Sequence, residues 1–395
     1  MHDVIVIGGG PSGMIASIKS SINNKVLLIE KNESLGKKLK LTGGGRCNLT
    51  NLKSIDYFMK EIPINNKFLY SSLNKFGPND IYDYFTNLGV PLKIEEDDKV
   101  FPMSDKSTSI IEALNKEMIL NNVDIKYNEK VISIINKDSY KEIITNKDKY
   151  KTKKVIITTG GLSYPNTGST GDGYKFAKDL NQEITTLYPA ETYLITKETL
   201  SLAGITLDNV RINYNKKRIE GSLLFTHNGL SGPSIFKVSE FVYKDLIDNE
   251  YITISIDMVP NYNDNELFNK LNEYDQKKEV ISFLKEFIPK RLIEYIYKEI
   301  DTNKKIVNIS KIDKQKIISM LKEFKLEINE TGSIDNAFIT GGGVSIKYIN
   351  PKTMESTIHK DIYFAGEILD VHGYTGGYNL TIAFSTGYVA GISCN

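Results

Sequence analysis

A chain of 395 residues exceeds what one hydrophobic core usually organises, so two or three domains are expected. Apolar residues make up 40% and charged residues 25%, an ordinary globular balance, and a net charge of +1 excludes binding of nucleic acid by bulk charge alone. Two cysteines and four scattered histidines exclude a disulfide framework and a cysteine-held zinc or iron–sulfur site, so no metal is expected.

No stretch approaches the ~18 consecutive apolar residues of a membrane helix. Met1–Ile7 carries neither a basic region nor a small-residue cleavage site, and the expectation is a cytoplasmic protein off the membrane.

Asp3–Ile7 is a short β-branched run that stops at glycine, the pattern of a buried parallel strand. A helix is predicted from Pro11 to about Ile22 and a second strand over Val26–Ile29, which together make a βαβ opening. Residues 51–122 read as mostly helical, with Asn79–Leu88 and Ser109–Leu120 as the clearest pieces. Asp124–Tyr127, Val131–Ile135 and Lys141–Thr145 predict a small antiparallel meander, and Val155–Thr158 returns to a buried strand. β-type segments dominate 190–260 (Tyr193–Thr196, Val210–Tyr214, Ser222–Phe225, Ile252–Ile256). Helical spacing then takes over, with Phe283, Leu284, Phe287 and Ile288 on one face. After Asn336 strand and glycine signals resume.

The domain plan is therefore an α/β Rossmann-type domain over 1–189 and 336–395, a β-rich insert over 190–260 and 325–335, and a helical subdomain over 261–324.

Gly8-Gly9-Gly10-Pro11-Ser12-Gly13 is a G-x-G-x-x-G between strand and helix. Gly8 permits the turn, Gly10 lets a pyrophosphate approach the backbone, and Gly13 lets helix and strand pack closely. The helix start offers unpaired N–H groups and a partial positive charge to phosphates. Glu30 ends the second strand ~20 residues later, placed to accept from ribose hydroxyls, and its charge disfavours a 2′-phosphate. The nucleotide is thus FAD or NAD rather than NADP.

Three further glycine clusters select FAD. Thr42-Gly43-Gly44-Gly45-Arg46-Cys47-Asn48 follows the ribose acid, where glycines admit a flat ring or phosphate and Arg46 adds charge-assisted bonds. Thr159-Gly160-Gly161 follows a buried strand and leads to Thr170-Gly171-Asp172-Gly173. Finally, Gly366-Glu367 ends a strand, suiting a carboxylate on the ribityl hydroxyls, and Gly377-Tyr378-Asn379 opens a last helix whose dipole suits the flavin N1–O2 edge. An NAD dehydrogenase needs no such return from the far end of the chain.

The blocks Leu41–Asn51, Thr158–Gly173, Leu223–Pro233 and Ile362–Gly391 closely resemble the YhiN/BaiN-type flavoproteins, and the Thr-Gly-Asp-Gly segment resembles the wider fumarate reductase and aspartate oxidase superfamily. The resemblance implies an FAD domain with an inserted β-barrel-like domain and a helical insert. With it, the expected flavin-holding set is completed by Lys31, Lys38, Val131 and Leu380. One departure is Asp370-Val371-His372-Gly373 in place of the family's Asp-Val-Asp-Gly, which bears on the substrate site rather than the fold.

Flavin carries the redox step, so the protein must supply position, electrostatics and a proton. The candidates are His227 in a glycine-rich turn, His372, Tyr374 and Cys47; His227 and His372 read equally as satisfied polar residues, and Cys47 equally as a small buried hydrophobe. No second G-x-G-x-x-G follows a strand, so NAD(P)H, if it is the reductant, docks transiently. The resemblance implies hydride delivery to an activated C=C bond, in ribosomal RNA uridine or a steroid-like enone. It also implies an alternative, oxidation of a small amine such as aminoacetone with peroxide formed, and a third reading is a flavoprotein that binds FAD structurally as a scaffold. The lysine-rich stretch Lys304–Lys322 is a candidate RNA surface, though solvated helix faces look alike.

Overall fold

A computed structural model describes all residues, Met1–Asn395. The chain divides into two compact units, one of Met1–Tyr188 with Phe338–Asn395 and one of Pro189–Ala337.

The first unit is built on a parallel sheet in the spatial order Asp124–Lys126, Val26–Ile29, His2–Ile7, Lys149–Ile157 and Ile362–Phe364. Val4–Val6, Val26–Leu28 and Val155–Ile157 are wholly buried, which explains runs of aliphatic residues without polar alternation. The strand Lys149–Ile157 changes partner along one edge. Its first half pairs antiparallel with Lys141–Thr145, and its second half pairs parallel with Ile362–Phe364. Through this strand the two ends of the chain enter one sheet.

The meander expected from Asp124 onward begins later. Asp124–Lys126 pairs parallel with Val26–Ile29 (Leu27↔Asp124, Ile29↔Lys126), while Val131–Asn136 and Lys141–Thr145 form the antiparallel part. Three alternating residues fit either partner; only the rest of the sheet chooses between them. The region 51–122 holds the helices Pro78–Asn87 and Thr108–Leu120, but also a three-stranded sheet of Thr50–Asn51, Leu92–Glu95 and Lys99–Pro102. Its hairpin turns on Asp97 and Asp98, which both take positive φ (61° and 59°).

The helices Pro11–Ser20 and Tyr378–Ile392 pack closely through glycine. A Cβ on Gly387 would lie 2.4 Å from the Ser12 carbonyl oxygen, and one on Gly391 2.7 Å from that of Ala16. Gly387→Ala is therefore expected to destabilise the protein by about 2 kcal/mol, as overpacking against backbone does. Thermal unfolding of the variant checks this.

The second unit carries a seven-stranded antiparallel sheet in the order Phe324–Ile328, Ile252–Asp257, Thr206–Tyr214, Lys217–Thr226, Gly229–Ser231, Leu194–Ile195 and Glu330–Thr331. The two edge strands, Phe324–Ile328 and Glu330–Thr331, are separated in sequence only by Asn329, so the sheet must curl back on itself. The helix Pro233–Leu246 packs on the strands Thr206–Tyr214 and Lys217–Thr226 and was not read from the sequence. Its signal is nonetheless present: Pro233 at the first turn, then Ile235, Val238 and Val242 buried on one side. The helical stretch does not keep a core of its own. Leu267, Leu284, Leu292 and Leu321 bury in the same cluster as Ile212, Ile254 and Leu326 of the strands.

Candidate active site

Parallel sheets open their loops at the carboxyl ends of the strands, and there the first unit has its cavity. Ile7 leads to Gly8, Ile29 to Glu30, Ile157 to Thr158, and Phe364 to Gly366 two residues on; all line this cavity.

At its floor Gly8 stands at φ 102°, its N–H donating 2.9 Å to the Ile29 carbonyl. A Cβ on Gly13 would lie 1.9 Å from the Gly8 carbonyl oxygen and 2.6 Å from Thr158 Oγ1, so the third glycine is set by helix–strand packing. A Cβ on Gly10 would meet nothing within 4 Å. The helix Pro11–Ser20 has Gly10 as N-cap, with no side-chain cap and no acid in its first turn. Its amino-terminal N–H groups and dipole are thus left for an anion. Ser12 Oγ and Thr159 Oγ1 are buried and have no hydrogen-bond partner within the protein, although both residues line the cavity. Polar atoms buried in this way ordinarily have a partner, and a ligand with acceptor oxygens would supply it.

Glu30 is 6% exposed and held rigidly. Its Oε2 accepts from Gly9 N–H at 2.7 Å, and its Oε1 accepts from the backbone and side-chain nitrogens of Asn32 at 2.8 and 2.7 Å. Beside it, Lys31 Nζ pairs with Asp172 at 2.6 Å and Lys130 reaches the same carboxylate at 3.1 Å. Burial works to raise the Asp172 pKa, but the hydrogen bond from Lys31 and the charge of Lys130 hold it below the usual aspartate value.

From the other end of the chain, Glu367 takes Lys38 Nζ on both oxygens at 2.8 Å and accepts from Thr340 N–H at 3.2 Å. The helix Tyr378–Ile392 starts at Gly377 (φ 96°), again without a side-chain cap or first-turn acid. Asn379 ties its preceding loop together, donating to the Gly373 carbonyl at 2.6 Å and accepting from Gly373 N–H at 2.8 Å.

Of the residues expected to hold the cofactor, the wall brings together Gly8, Gly10, Pro11, Ser12, Glu30 and Lys31 from the first two loops. Lys38, Thr42, Val131, Thr159 and Gly160 follow, and the carboxyl end adds Gly366, Glu367, Asn379 and Leu380. Gly44 and Gly45 lie outside it in an exposed to half-exposed turn, and Gly13, Asn48, Gly161, Gly377 and Tyr378 lie outside it as packed positions. The Asn48 amide, for example, bridges the Thr50 carbonyl and Gly377 N–H, both at 3.1 Å.

Two expected contacts are not made. Arg46 turns away to Glu95 (2.9 Å) and Asp105 (3.3 Å) and lies over the Phe101 ring, because two acids and an aromatic face outcompete a glycine loop. Cys47 is fully buried outside the cavity wall, in the core, and burial pushes its thiol up to about 12.

His372 is also enclosed, 2% exposed with its ring edge-on to Tyr188 at 6.3 Å, while its neighbour Val371 lines the cavity. Tyr374 is half-buried in the same loop, anchored by its N–H to the Glu61 carbonyl at 2.9 Å. His227 is an exposed turn residue of the second unit, between Lys217–Thr226 and Gly229–Ser231. The wall also contains Glu129, Lys130, Phe176, Phe338 and Ile339, which no motif marked; they arrive through sheet pairing and chain return, not through local pattern.

Comparison with known proteins agrees with this architecture. Residues 2–393 match the family model described as HI0933-like protein Rossmann domain. The 3-dehydro-bile acid delta(4,6)-reductase of Clostridium scindens is 29% identical over 99% of this chain and 98% of its own length. The ribosomal RNA dihydrouridine synthase of Escherichia coli is 30% identical, over 98% of this chain and 96% of its own. That of Haemophilus influenzae is 29% identical over 98% and 97%. Among solved structures, 3-ketosteroid-delta4-(5alpha)-dehydrogenase from Rhodococcus jostii aligns over 100% of this chain and 96% of its own, with a TM-score of 0.51 at 14% identity, a likeness of fold. Matched from one end to the other, this chain belongs to the HI0933-like Rossmann family and is an FAD-dependent oxidoreductase.

Proposed function

We propose that the protein reduces the polarised C5=C6 bond of a uridine in ribosomal RNA. The observation that carries this reading is the end-to-end likeness to the two dihydrouridine synthases, with the cavity's two carboxylates drawn from opposite ends of the chain. Bound FAD supplies the redox chemistry, hydride delivery to the activated double bond, with NAD(P)H as transient reductant.

The residues divide the remaining work. Gly8, Gly10 and the first turn of Pro11–Ser20 receive the pyrophosphate, with Ser12 and Thr159 hydroxyls as added donors. Glu30 holds the ribose, prealigned by Gly9 and Asn32, and Glu367 with Lys38 faces the ribityl and ring portion. The amino end of Tyr378–Ile392 stabilises negative charge at the ring edge. The proton for the neighbouring carbon comes from Tyr374, half-buried in the loop ahead of the helix Tyr378–Ile392, since Cys47 and His372 are enclosed.

The 29% likeness to the bile acid reductase supports a second substrate of the same chemistry, a steroid-like enone. Mass spectrometry of ribosomal RNA from a strain lacking the protein decides between them. Loss of one dihydrouridine is the expected result, restored by the wild-type chain and not by the Tyr374→Phe form. An unchanged dihydrouridine profile overturns the RNA reading.

A further inference from the structure

The second unit contains a polar groove that the flavin chemistry does not use. Its floor is the outer face of four antiparallel strands. Register places Arg218 opposite Asn213, Asn213 opposite Ser255, and Ser255 opposite Lys325. Residues directly opposite in antiparallel strands share a face, so these four form one row across the sheet, about 14 Å long at the usual strand spacing. The reverse face of the same strands carries Ile212, Ile254, Ile256 and Leu326 in the core.

Every side chain in that row donates hydrogen bonds, and its two ends are exposed cations. Lys216 adds a third exposed cation at the adjoining hairpin turn, where Asn215 takes φ 50°. None of Lys216, Arg218 and Lys325 makes an ion pair. The acids of the groove are largely committed. Asp257, 3% exposed, is neutralised by Lys322 at 2.6 Å and Arg211 at 3.6 Å. Glu220 is taken by Arg211, and Glu266 caps the Asn263 N–H at 2.7 Å. Asp264 and Glu323 remain at the rim. Tyr262 lines the groove half-buried from the loop ahead of the helix Asp264–Glu273, its ring steadied edge-on by Phe287 at 5.9 Å, with Lys270 Nζ 5.0 Å from its centroid as a further cation.

Uncommitted cations with amide and hydroxyl donors on a sheet face, and an aromatic ring in the loop beside them, are the equipment that holds a single-stranded nucleic acid. We propose that this groove binds the phosphodiester backbone of the RNA substrate, with Lys216, Arg218 and Lys325 on phosphates and Tyr262 against a base. The inference rests on the RNA reading of the function. The lysine-rich stretch Lys304–Lys322 contributes little to it: Lys314 donates to Asn272, Lys316 pairs with Glu299, and Lys322 turns inward to Asp257.

The test is fluorescence anisotropy of the FAD-loaded protein with a labelled single-stranded ribosomal RNA fragment across a salt series. Lys216→Ala/Arg218→Ala/Lys325→Ala is expected to weaken binding at least tenfold at ~0.1 M salt. It should also reduce the slope of log Kd against log salt by about 2, near 0.7 for each phosphate contact on a single strand. Bound FAD and its reduction by NAD(P)H should be unchanged, and the exposed first-unit pair Lys106→Ala/Lys360→Ala should bind as wild type. If the triple variant binds as wild type, the groove is overturned while the RNA reading stands. If the wild-type protein binds no RNA, both fall. Displacement of the RNA by poly-glutamate at equal charge would assign the groove to an acidic polypeptide and overturn the proposal.

Discussion

Gly10→Val is expected to leave the fold intact and to abolish tight FAD binding. The backbone at Gly10 (φ −76°, ψ −179°) is extended and open to any residue, and the added side chain meets no protein atom within 4 Å at its Cβ. Stability of the apoprotein should therefore change by no more than about 0.5 kcal/mol. The isopropyl group instead fills the space where a pyrophosphate would meet the helix. A 100-fold or greater loss of FAD affinity, about 2.7 kcal/mol, is the expected result of titrating the apoprotein with flavin. Gly13→Ala gives the opposite outcome: with a Cβ 1.9 Å from the Gly8 carbonyl oxygen, the helix cannot seat on the strand, and the protein loses stability along with flavin. Normal flavin uptake by Gly10→Val would mean that the cavity is not the pyrophosphate site.

The second large effect is at Glu30. Glu30→Ala removes the acceptor for the buried Gly9 N–H and for both nitrogens of half-buried Asn32. An unsatisfied buried donor costs about 1–3 kcal/mol, so a fall of about 3 kcal/mol in unfolding free energy is expected from urea titration. Flavin affinity should fall with it, because the same carboxylate is the one proposed to hold the ribose. Glu30→Gln should recover only part of the stability. Its amide has a single acceptor oxygen, so it serves either the Gly9 side or the Asn32 side but not both. Full recovery by Gln would show that the charge and its second oxygen are not needed.

Much of the site is readable from motifs because each motif is a backbone requirement. Gly8 needs positive φ, Gly13 needs the absence of a Cβ, and Glu30 must end a strand, so these constraints fix residue types at fixed spacing. Glu367 was legible for the same reason. Arg46 and Cys47 show the limit of that approach. Both sit in a glycine-rich segment that approaches the cavity at Thr42, yet the Arg46 guanidinium finds Glu95 and Asp105 and the Cys47 side chain faces the core. Sequence proximity to a site does not set the direction of a side chain; the partners that compete for it do, and those lie ~50–60 residues away in the chain.

By itself the sequence determined the βαβ opening, the glycine turn, the acid that ends the second strand and the return of the carboxyl end with Gly366-Glu367, because local backbone chemistry and aliphatic runs dictate each of them. Tertiary structure alone decided that Asp124–Lys126 joins the parallel sheet, that Pro233–Leu246 lies against the second sheet, and that the helical stretch shares a core with the strands. It alone aligned Arg218, Asn213, Ser255 and Lys325 in one row. Strand partners and cross-strand rows are non-local: each is settled by which surfaces remain to be buried once the rest of the chain has folded, and a short alternating segment carries no record of that choice.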